Sequence, residues 1–473
     1  MDLSCLSEGV MLKQEIVGCR SDLQARRKDG VKMENQGDSS FASFAERHFH
    51  LKENGTDVKT ELLAGLTTFA TMSYVLAVVP NMLSKSGIDK AGALTALILM
   101  VVLCSGAMAI YTNRPFCLAP GMSSVAIISN LDSIGMSVET AFGIIFIEGV
   151  IFVIISFAGM REIIAKAIPA SVKIALSGGI GLWISLIGLK SGGIVVASAK
   201  NTLVFGNLHT AKAFMFLIGF LLILIFEARK IKGSMLLSII IVTLIGIPLQ
   251  ITKLPTSFFN APGSIVPLIG RLNVMDALKP EYFPWLLTFF VPDFFGTMGI
   301  ILGIANQAGW LDKHGDMDGI DKCFKVDSSS TVLGSFFCMP VMTTYLESAS
   351  GVADGGRTGL TAISTSVLFA LMLLFTPLAL MVPGVATGPV LTIIGFQMLT
   401  SMRAIDYTDV TEFLPAFIAV AMTVLTYNIA NGMALSIISY LVMKIAAGKA
   451  KTVPAAMYGI GACMLFYMWM IIK

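Results

Sequence analysis

The chain has 473 residues, 55% of them hydrophobic and 13% charged, and its mean hydropathy is +0.80. Because average soluble domains carry about twice that share of charged residues, the composition predicts a polytopic membrane protein. The net charge of +3 is too small to indicate nucleic-acid binding, and the pattern of the seven cysteines and four histidines predicts no disulfide framework, metal site or cofactor.

The first part of the chain, residues 1–57, is polar and lacks the continuous apolar region of a signal peptide. We interpret it as a disordered cytoplasmic tail. The stretch that begins at Met33 is typical of a natural cytoplasmic start, so Met1 and Met33 are alternative starts and we expect residues 1–32 to be dispensable or mis-assigned.

From Glu61 onward the chain consists of apolar runs of about the twenty residues that a helix needs to cross a membrane. We predict an all-α polytopic membrane protein with about fourteen spans. They lie near 61–84, 91–112, 115–132, 138–159, 168–189, 211–227, 233–251, 284–306, 325–339, 340–358, 360–381, 384–402, 411–429 and 431–447. A last apolar stretch, 454–472, is either a further crossing or an interfacial helix.

The basic residues between the spans indicate the orientation of the chain. Most of them fall on the side shared with the N-terminal tail, and cytoplasmic loops are rich in Lys and Arg. We therefore predict a multi-pass protein of the cell membrane with a cytoplasmic N-terminus. The basic residues on that side are Arg114, Arg161, Lys166, Arg229, Lys230, Lys232, Arg357, Arg403, Lys444, Lys449 and Lys451.

Two of the predicted spans are interrupted near their starts by proline. Pro115 and Pro120 stand at the start of the third span, and Pro340 opens the tenth, where the β-prone residues 341–345 precede any helix. We expect each span to contain a short extended segment that leads into a half-helix, with backbone N–H and C=O groups left free for a ligand. Glu347 lies at the mouth of the second half-helix, and a carboxylate at membrane depth indicates a functional site.

The two broken spans occupy corresponding positions in the two halves of the chain. Pro115 and Pro340 are separated by nearly the same number of residues as Glu61 and Pro284, which begin spans one and eight. An odd number of spans in each half requires the two halves to be inverted. Interrupted segments at matching positions of inverted halves indicate the substrate site of a transporter.

Six short motifs are spread along the chain, namely TELLAGLTTF at 60–69, TMSY at 71–74, LAPGM at 118–122, YLESA at 345–349, GGRTG at 355–359 and LTYNIANG at 425–432. Together they resemble those of a known family, the nucleobase-cation symporter-2 permeases, and within it the AzgA-like adenine/guanine/hypoxanthine permeases. The resemblance extends from about Lys52 to Lys444.

The resemblance implies a division of labour between two domains. It implies a core domain of 58–166 and 284–382, a gate domain of 167–283 and 383–447, and a further apolar segment at 448–473. The substrate is expected between the two broken spans, and the activity is expected to be proton-coupled uptake of purine nucleobases. The expected partners are the base, protons and the lipid bilayer. The resemblance is also compatible with a homodimer.

The resemblance also implies the residues of the site. Glu347 matches the family's substrate carboxylate on span ten, and Asp293 matches the earlier of two aspartates on span eight; both are expected to couple protons. A carboxylate can accept two parallel hydrogen bonds from the N–H donors of a purine edge, and when protonated it gains a donor. Further substrate contacts are expected from nearby residues, namely Ser348, Thr297, Met122, Ser123 and Ser124. We interpret Glu148 and Asp327 first as interhelical hydrogen-bond partners, with proton relay as the alternative role.

Two positions depart from the family's pattern. Gly296 stands where the second aspartate of span eight is usual, and Val125 stands where span three usually has asparagine. Both differences remove polar groups that are expected near the base, so the identity of the base is left open.

Two alternatives remain at this point. Anion carriers share the architecture, but they are expected to offer a positive site, whereas Glu347 and Asp293 make this one negative. The aspartate-rich residues 311–321 also resemble part of a calcium loop and the loops of magnesium-dependent membrane prenyltransferases. Because Cys323 stands where a calcium loop needs glutamate, we predict a solvated cytoplasmic loop there.

Overall fold

The computed structural model describes residues 40–159, 169–197, 203–255, 257, 259–312, 317–426 and 428–472. The predictions about Met1 and Met33 as alternative starts, and those about Arg161 and Lys166, lie outside these residues, as does the middle of the aspartate-rich loop.

The described residues are predominantly helical. The helices of the first half are α1 Ser40–Phe49, α2 Val58–Met72, α3 Val75–Leu83, α4 Lys90–Thr112, α5 Met122–Ile128, α6 Leu131–Ile134, α7 Val138–Phe157, α8 Ala170–Ser191, α9 Ala211–Ala228, α10 Ser234–Ile245 and α11 Val274–Ala277. Those of the second half are α12 Phe283–Ala308, α13 Ile320–Phe336, α14 Ser348–Ala353, α15 Gly359–Leu371, α16 Thr376–Leu380, α17 Gly384–Leu399, α18 Val410–Leu425, α19 Ile429–Ala446 and α20 Ala455–Ile472. The strands are β1 Leu118–Pro120, β2 Val195–Ala197, β3 Leu203–Phe205 and β4 Met342–Thr344.

Helix α1 lies within the stretch that the sequence predicts to be disordered. Arg47 and His48 stand in its last turn, where basic residues interact favourably with the helix dipole. The guanidinium of Arg47 also donates a hydrogen bond to the carbonyl oxygen of Ser43 at 3.2 Å. Helical structure in the tail therefore begins earlier than the polar composition suggests.

The prediction of a polytopic helical membrane protein is confirmed. Among the described residues, eight helical segments are long and apolar enough to cross a membrane, and four shorter apolar helices of 10–17 residues accompany them. A helix or a broken segment lies at each predicted span, while fourteen as the number of crossings stays a prediction. The last apolar stretch forms one helix, α20, which packs against α19, where the hydroxyl of Tyr467 donates to Oδ1 of Asn431 at 3.0 Å.

The two proline-broken segments meet each other. β1 and β4 pair antiparallel, with Leu118 opposite Thr344 and Pro120 opposite Met342. The pairing continues beyond the strands, because the N–H of Tyr345 donates to the carbonyl of Cys117 at 2.9 Å. Each strand leads directly into a short helix, α5 or α14, as the sequence predicts. The backbone groups that proline frees from helical bonding are thus satisfied between the segments.

Most other contacts are made within two groups of helices. Helix α15 packs against α2 and α4, and α13 packs against α7, whereas α8 packs closely on α17 and α18. A Cβ added at Gly181 of α8 would lie 2.6 Å from the carbonyl oxygen of Gly395 on α17, so only glycine permits this approach. Small residues of this kind are common where helices pack inside membranes.

Several of the predicted cytoplasmic loops contact one another in pairs. The ammonium of Lys232 pairs with the carboxylate of Asp354, and the amide of Asn113 accepts from the N–H of Gly359 at 3.0 Å. Lys449 donates to Asp409 at 2.8 Å. These contacts join loops that the distribution of basic residues assigns to the same side.

Candidate functional site

A cavity of about 560 Å³ lies beside the paired broken segments. Its walls come from both broken segments, from α12 and from the facing helices α8 and α17. The residues that define its chemistry are Tyr74, Met122, Ser123, Lys173, Phe295, Gly296, Thr343, Thr344, Tyr345, Glu347, Gln397 and Ser401. Lys173 is in the first turn of α8 and Ser401 follows α17, so the cavity extends toward the end that carries the basic loops.

Glu347 lies in the wall of this cavity. It occupies the residue before α14 and is partly exposed, because the chain turns from β4 into the helix at this point. The phenolic hydroxyl of Tyr74, between α2 and α3, donates a hydrogen bond of 2.8 Å to its Oε1. Tyr74 therefore holds the carboxylate toward the cavity, and the remaining oxygen is available to a ligand.

A second, smaller cavity of about 410 Å³ also reaches Glu347. It is bounded by Gln397 and Ser350 on one side and by Lys230 and Lys232 on the other. The carboxylate of Glu347 therefore stands between the main cavity and a space that borders the basic loop after α9.

Asp327 holds the strand β4 in place. Its Oδ1 accepts the backbone N–H of Thr344 at 2.8 Å and the hydroxyl of Thr344 at 2.9 Å, and its Oδ2 accepts the hydroxyl of Thr297 at 2.8 Å. These bonds join α13, β4 and α12. The interpretation of Asp327 as an interhelical hydrogen-bond partner is confirmed, and Thr297 turns its hydroxyl to Asp327 and Thr343 instead of lining the cavity.

Asp293 lies behind the cavity wall. Its side chain is almost fully buried, and the hydroxyl of Thr331 approaches its Oδ2 at 3.4 Å. Oδ1 of Asp293 and both oxygens of Glu148 accept no hydrogen bond from the described residues. No N–H or O–H group of the described residues donates to Glu148, but its carboxyl interacts with that of Asp293 across helices, so its role as an interhelical hydrogen-bond partner stays a prediction.

The remaining predicted contacts fall into two groups. Met122 and Ser123 line the cavity at the start of α5. Ser124 is buried and donates to the carbonyl of Gly121 at 2.8 Å, and Ser348 is buried and accepts the N–H of Cys117 at 3.0 Å. The hydroxyls of Ser124 and Ser348 thus satisfy the backbone around the broken segments.

The two departures from the family's pattern have different surroundings. Gly296 lines the cavity, and a Cβ added there would meet no atom within 4 Å. Val125 is fully buried and does not line the cavity, so its difference from asparagine leaves the cavity wall unchanged. Only Gly296 therefore enlarges the space that faces a ligand.

Sequence reasoning missed several residues of the wall. The ammonium of Lys173 lies 4.2 Å from the centroid of the Phe295 ring, which places a cation and an aromatic face beside the cavity. Lys173 could have been found from the sequence, because it lies inside an apolar predicted span and a charged residue at membrane depth indicates a functional position. Gln397 had no such signal, because a lone amide in a helix does not reveal which neighbour it faces.

Comparison with known proteins identifies the family. Residues 59–435 match the model of the Xan_ur_permease family, a permease family. The chain is 39% identical over 417 residues to a putative permease of Methanocaldococcus jannaschii, covering 88% of this chain and 96% of that protein. It is 34% identical over 415 residues to the adenine permease AdeP of Escherichia coli strain K12, covering 87% and 93%. It is also 34% identical over 411 residues to the guanine/hypoxanthine permease PbuO of Bacillus subtilis strain 168, covering 85% and 95%.

Solved structures of transporters share the fold. The transmembrane domain of the cyanobacterial bicarbonate transporter BicA superposes with a TM-score of 0.57 at 15% identity, covering 80% of this chain and 97% of that chain. The inward-facing murine anion transporter Slc26a9 superposes with a TM-score of 0.58 at 12% identity, covering 89% and 75%. At these identities the similarity establishes the architecture alone.

The family match covers most of the chain, and it agrees with the motifs that indicated nucleobase-cation symporter-2 permeases. It also sets aside the prenyltransferase alternative, because the family consists of permeases. The chain belongs to the Xan_ur_permease family and is an integral membrane transporter.

Proposed function

We propose that this protein is a secondary active transporter that carries purine nucleobases into the cell together with protons. The relatives that are named after a substrate include permeases for adenine and for guanine/hypoxanthine. In this proposal the protein lies in the plasma membrane with a cytoplasmic N-terminus, and its partners are the base, protons, the bilayer and, as a homodimer, a second copy.

The observation that carries the proposal is the Glu347 carboxylate in the cavity wall, oriented by Tyr74 at 2.8 Å. A purine base presents adjacent N–H donors on one edge and flat faces above and below. The free oxygen of Glu347 can accept such a donor, and the ring of Phe295 offers a face for stacking. The amide of Gln397 can both donate to ring nitrogens or carbonyls and accept from N–H groups.

Substrate specificity follows from the lining of the cavity. Thr343 and Ser123 supply side-chain hydroxyls to the cavity wall, and Met122 supplies apolar surface. A site that hydrogen-bonds a polar edge discriminates strongly against ligands that leave its groups unpaired. The cavity wall carries both the Glu347 carboxylate and the Lys173 ammonium, so it offers an anion no net positive site, which supports a neutral heterocycle over an anion as the cargo.

In this proposal the core domain comprises 58–166 and 284–382, and the gate domain comprises 167–283 and 383–447. In this proposal the broken segments of the core carry the base, and α8 and α17 of the gate form the opposite wall. The cavity extends toward the end with the basic loops, so the proposed orientation makes the described conformation open toward the cytoplasm.

Proton coupling is assigned to Glu347 and Asp293. Both are carboxyl groups at membrane depth, and a carboxyl that binds the base while exchanging a proton links the two equilibria. The base therefore binds with a protonation change at one of these groups.

The test is uptake by the purified protein in liposomes. Radiolabelled adenine, guanine, hypoxanthine, uracil and bicarbonate are supplied outside, with and without an inwardly directed proton gradient. The proposal expects accumulation of at least one purine above its equilibrium level, only when the gradient is present. Accumulation of bicarbonate in place of every base, or accumulation that ignores the gradient, would contradict it.

A further inference from the structure

Three carboxyl side chains lie behind the cavity, and they differ in how they are satisfied. Asp327 accepts three hydrogen bonds from Thr344 and Thr297. Asp293 and Glu148 retain three oxygens that accept none from the described residues. Both are almost completely buried, with Glu148 at 0% and Asp293 at 3% exposure. Unsatisfied buried carboxylate oxygens are costly, so this arrangement calls for a ligand that the static hydrogen-bond pattern does not include.

The missing ligand lies between two carboxyl groups that face each other. Glu148 on α7 interacts directly with Asp293 on α12, and these two helices pack against each other. Two ionised carboxylates are acceptors only, so no hydrogen bond can form between them. One proton placed between them turns one group into a donor and satisfies an oxygen on each side. It also removes the repulsion between two buried like charges.

The surroundings keep the pair away from water on one side. A Cβ added at Gly149 would lie 2.9 Å from the side chain of Val332, so α7 and α13 approach closely beside Glu148. One turn further along α7, the ring of Phe152 contacts those of Phe290, Phe294 and Phe324, at centroid distances of 6.0, 5.4 and 5.8 Å. If Glu148 and Asp293 were both ionised, a neighbouring ammonium or guanidinium group would be needed to stabilise their two negative charges. The described residues place no such group against these two side chains.

The charged groups that face Glu148 from the neighbouring helices are both acidic. Asp293 faces it from α12, and Asp327 from α13. Helix α11 packs on the first turns of α7, but its Asp276 bonds to Thr140 and Lys279, about two turns away from Glu148 along the helix. The acidic environment therefore favours a protonated pair.

The pair is connected to the cavity on its other side. The side chain of Thr343 lies in the cavity wall and interacts with Asp293, although no hydrogen bond joins its hydroxyl to that carboxyl in this conformation. The same hydroxyl is 2.8 Å from that of Thr297. A hydroxyl both donates and accepts, so Thr343 can pass a proton between the cavity and Asp293.

We propose that Glu148 and Asp293 form a proton-carrying pair that is separate from the base-binding carboxylate Glu347 and exchanges its proton with the cavity through Thr343. This inference rests on the proposed proton-coupled function. Of the two carboxyl groups to which that proposal assigns coupling, Glu347 and Asp293, it places the transported proton on Asp293, paired with Glu148. Loading adds one proton to the pair, and release returns that proton to the cavity. Glu148 thereby takes the proton-relay role that was the second interpretation of its place in span four.

The test compares Glu148→Gln with the wild-type protein in liposomes. Glutamine can donate an N–H to Asp293 permanently, so it imitates the protonated pair and cannot release a proton. We expect the variant to exchange labelled base for unlabelled base across the membrane at equal pH. Under an inward proton gradient its accumulation ratio should fall to one. Glu139→Gln makes the same chemical change on the same helix, at an exposed ion pair with Arg271, and should accumulate base normally.

Infrared spectroscopy supplies a readout that does not depend on transport. The wild-type protein should show a protonated-carboxyl C=O band that shifts in D₂O and disappears in both Glu148→Gln and Asp293→Asn. If Glu148→Gln does not fold, the band in the wild type and its loss in Asp293→Asn still decide the question. An unchanged band in the folded variants would overturn the proposal.

The transport results separate the two levels of inference. Normal gradient-driven accumulation by Glu148→Gln, or loss of its base exchange, would overturn the proton pair. A wild-type protein that exchanges bases without any response to the proton gradient would instead overturn the proposed proton-coupled function, and the pair with it.

Discussion

The hydroxyl of Tyr74 donates a hydrogen bond of 2.8 Å to Oε1 of Glu347, although the two residues lie far apart in the sequence. Tyr74 stands where the first predicted span breaks between α2 and α3, and Glu347 stands where β4 turns into α14. Two interruptions of regular helix are thus joined at the cavity. A preorganised acceptor costs less conformational entropy when the ligand binds.

Replacement of Tyr74 by phenylalanine should weaken base binding. A hydrogen bond to a charged group contributes about 1.5–3 kcal/mol, so we expect the dissociation constant to rise roughly tenfold or more. Equilibrium binding of radiolabelled base to the purified variant measures this change. Tyr111→Phe, at an exposed position on α4, is the matched control and should bind normally. Equal affinity in Tyr74→Phe and wild type would show that the hydroxyl does not support the site.

Glu347→Gln should abolish accumulation while the protein remains in the membrane. The amide keeps the shape of the side chain, but it cannot exchange a proton and offers a single acceptor oxygen. In contrast to Glu148→Gln, this variant should also lose high-affinity binding and base exchange. Wild-type accumulation against a gradient would exclude Glu347 as the substrate carboxylate.

Gly296→Asp should restore a carboxylate to the cavity wall. The structure has room for it, because a Cβ at this position meets no atom within 4 Å. An additional acceptor should strengthen binding of bases with several N–H donors, such as guanine, more than binding of adenine. Competition binding with both bases measures the shift, and Gly296→Ala distinguishes the effect of charge from that of bulk. A uniform loss of affinity in both variants would mean that the cavity requires the empty space.

Lys232→Ala should open the contact between the loop after α9 and the end of α14. Its ammonium pairs with Asp354, which also accepts the hydroxyl of Thr67 at 2.7 Å. Because both charged side chains are partly exposed, the free energy of unfolding should change by less than about 1 kcal/mol. Labelling of a single cysteine at Ser350, in the cavity that borders this loop, should become faster. Lys253→Ala, in a different cavity, should leave the rate unchanged.

The same ion pair makes a prediction about pH. Burial raises the pKa of Asp354, but hydrogen bonds from Lys232 and Thr67 outweigh it and hold the pKa below its ordinary value. The stabilisation is therefore present above the ordinary carboxyl pKa and is lost only as the pH falls through the lower folded value. Between about pH 6 and pH 8 the pair should stay closed. If uptake by the wild-type protein varies between about pH 6 and pH 8, uptake by Asp354→Asn should vary to the same extent, because titratable groups other than Asp354 cause that variation.

Glu61→Gln should destabilise the fold without changing the cavity. The fully buried carboxylate of Glu61 accepts the N–H of Arg357 at 2.8 Å, and the N–H and hydroxyl of Thr361 at 3.1 and 2.5 Å. An amide presents its own N–H groups to some of these donors, which should cost about 1–3 kcal/mol. Thermal unfolding in detergent measures the loss, and the exposed Glu53→Gln is the control. An unchanged midpoint would show that the start of α15 does not depend on Glu61.

Much of the architecture follows from local features of the sequence. The apolar runs determine where helices form, because every backbone polar group in a bilayer must be bonded within its own segment. Pro115 and Pro340 determine where two helices are interrupted, since proline lacks the N–H that helical bonding requires. Glu347 could be selected as a candidate site residue for the same local reason, as a carboxylate beside an interruption at membrane depth.

The partners of the polar side chains were decided by the tertiary structure alone. Nothing in the sequence distinguishes Asp327, which is fully bonded, from Glu148, which is not. Likewise Gly296 faces the cavity whereas Val125 is enclosed by the core. Hydropathy describes each helix separately, but hydrogen bonds and cavity walls depend on the rotation and register of helices that are distant in the chain.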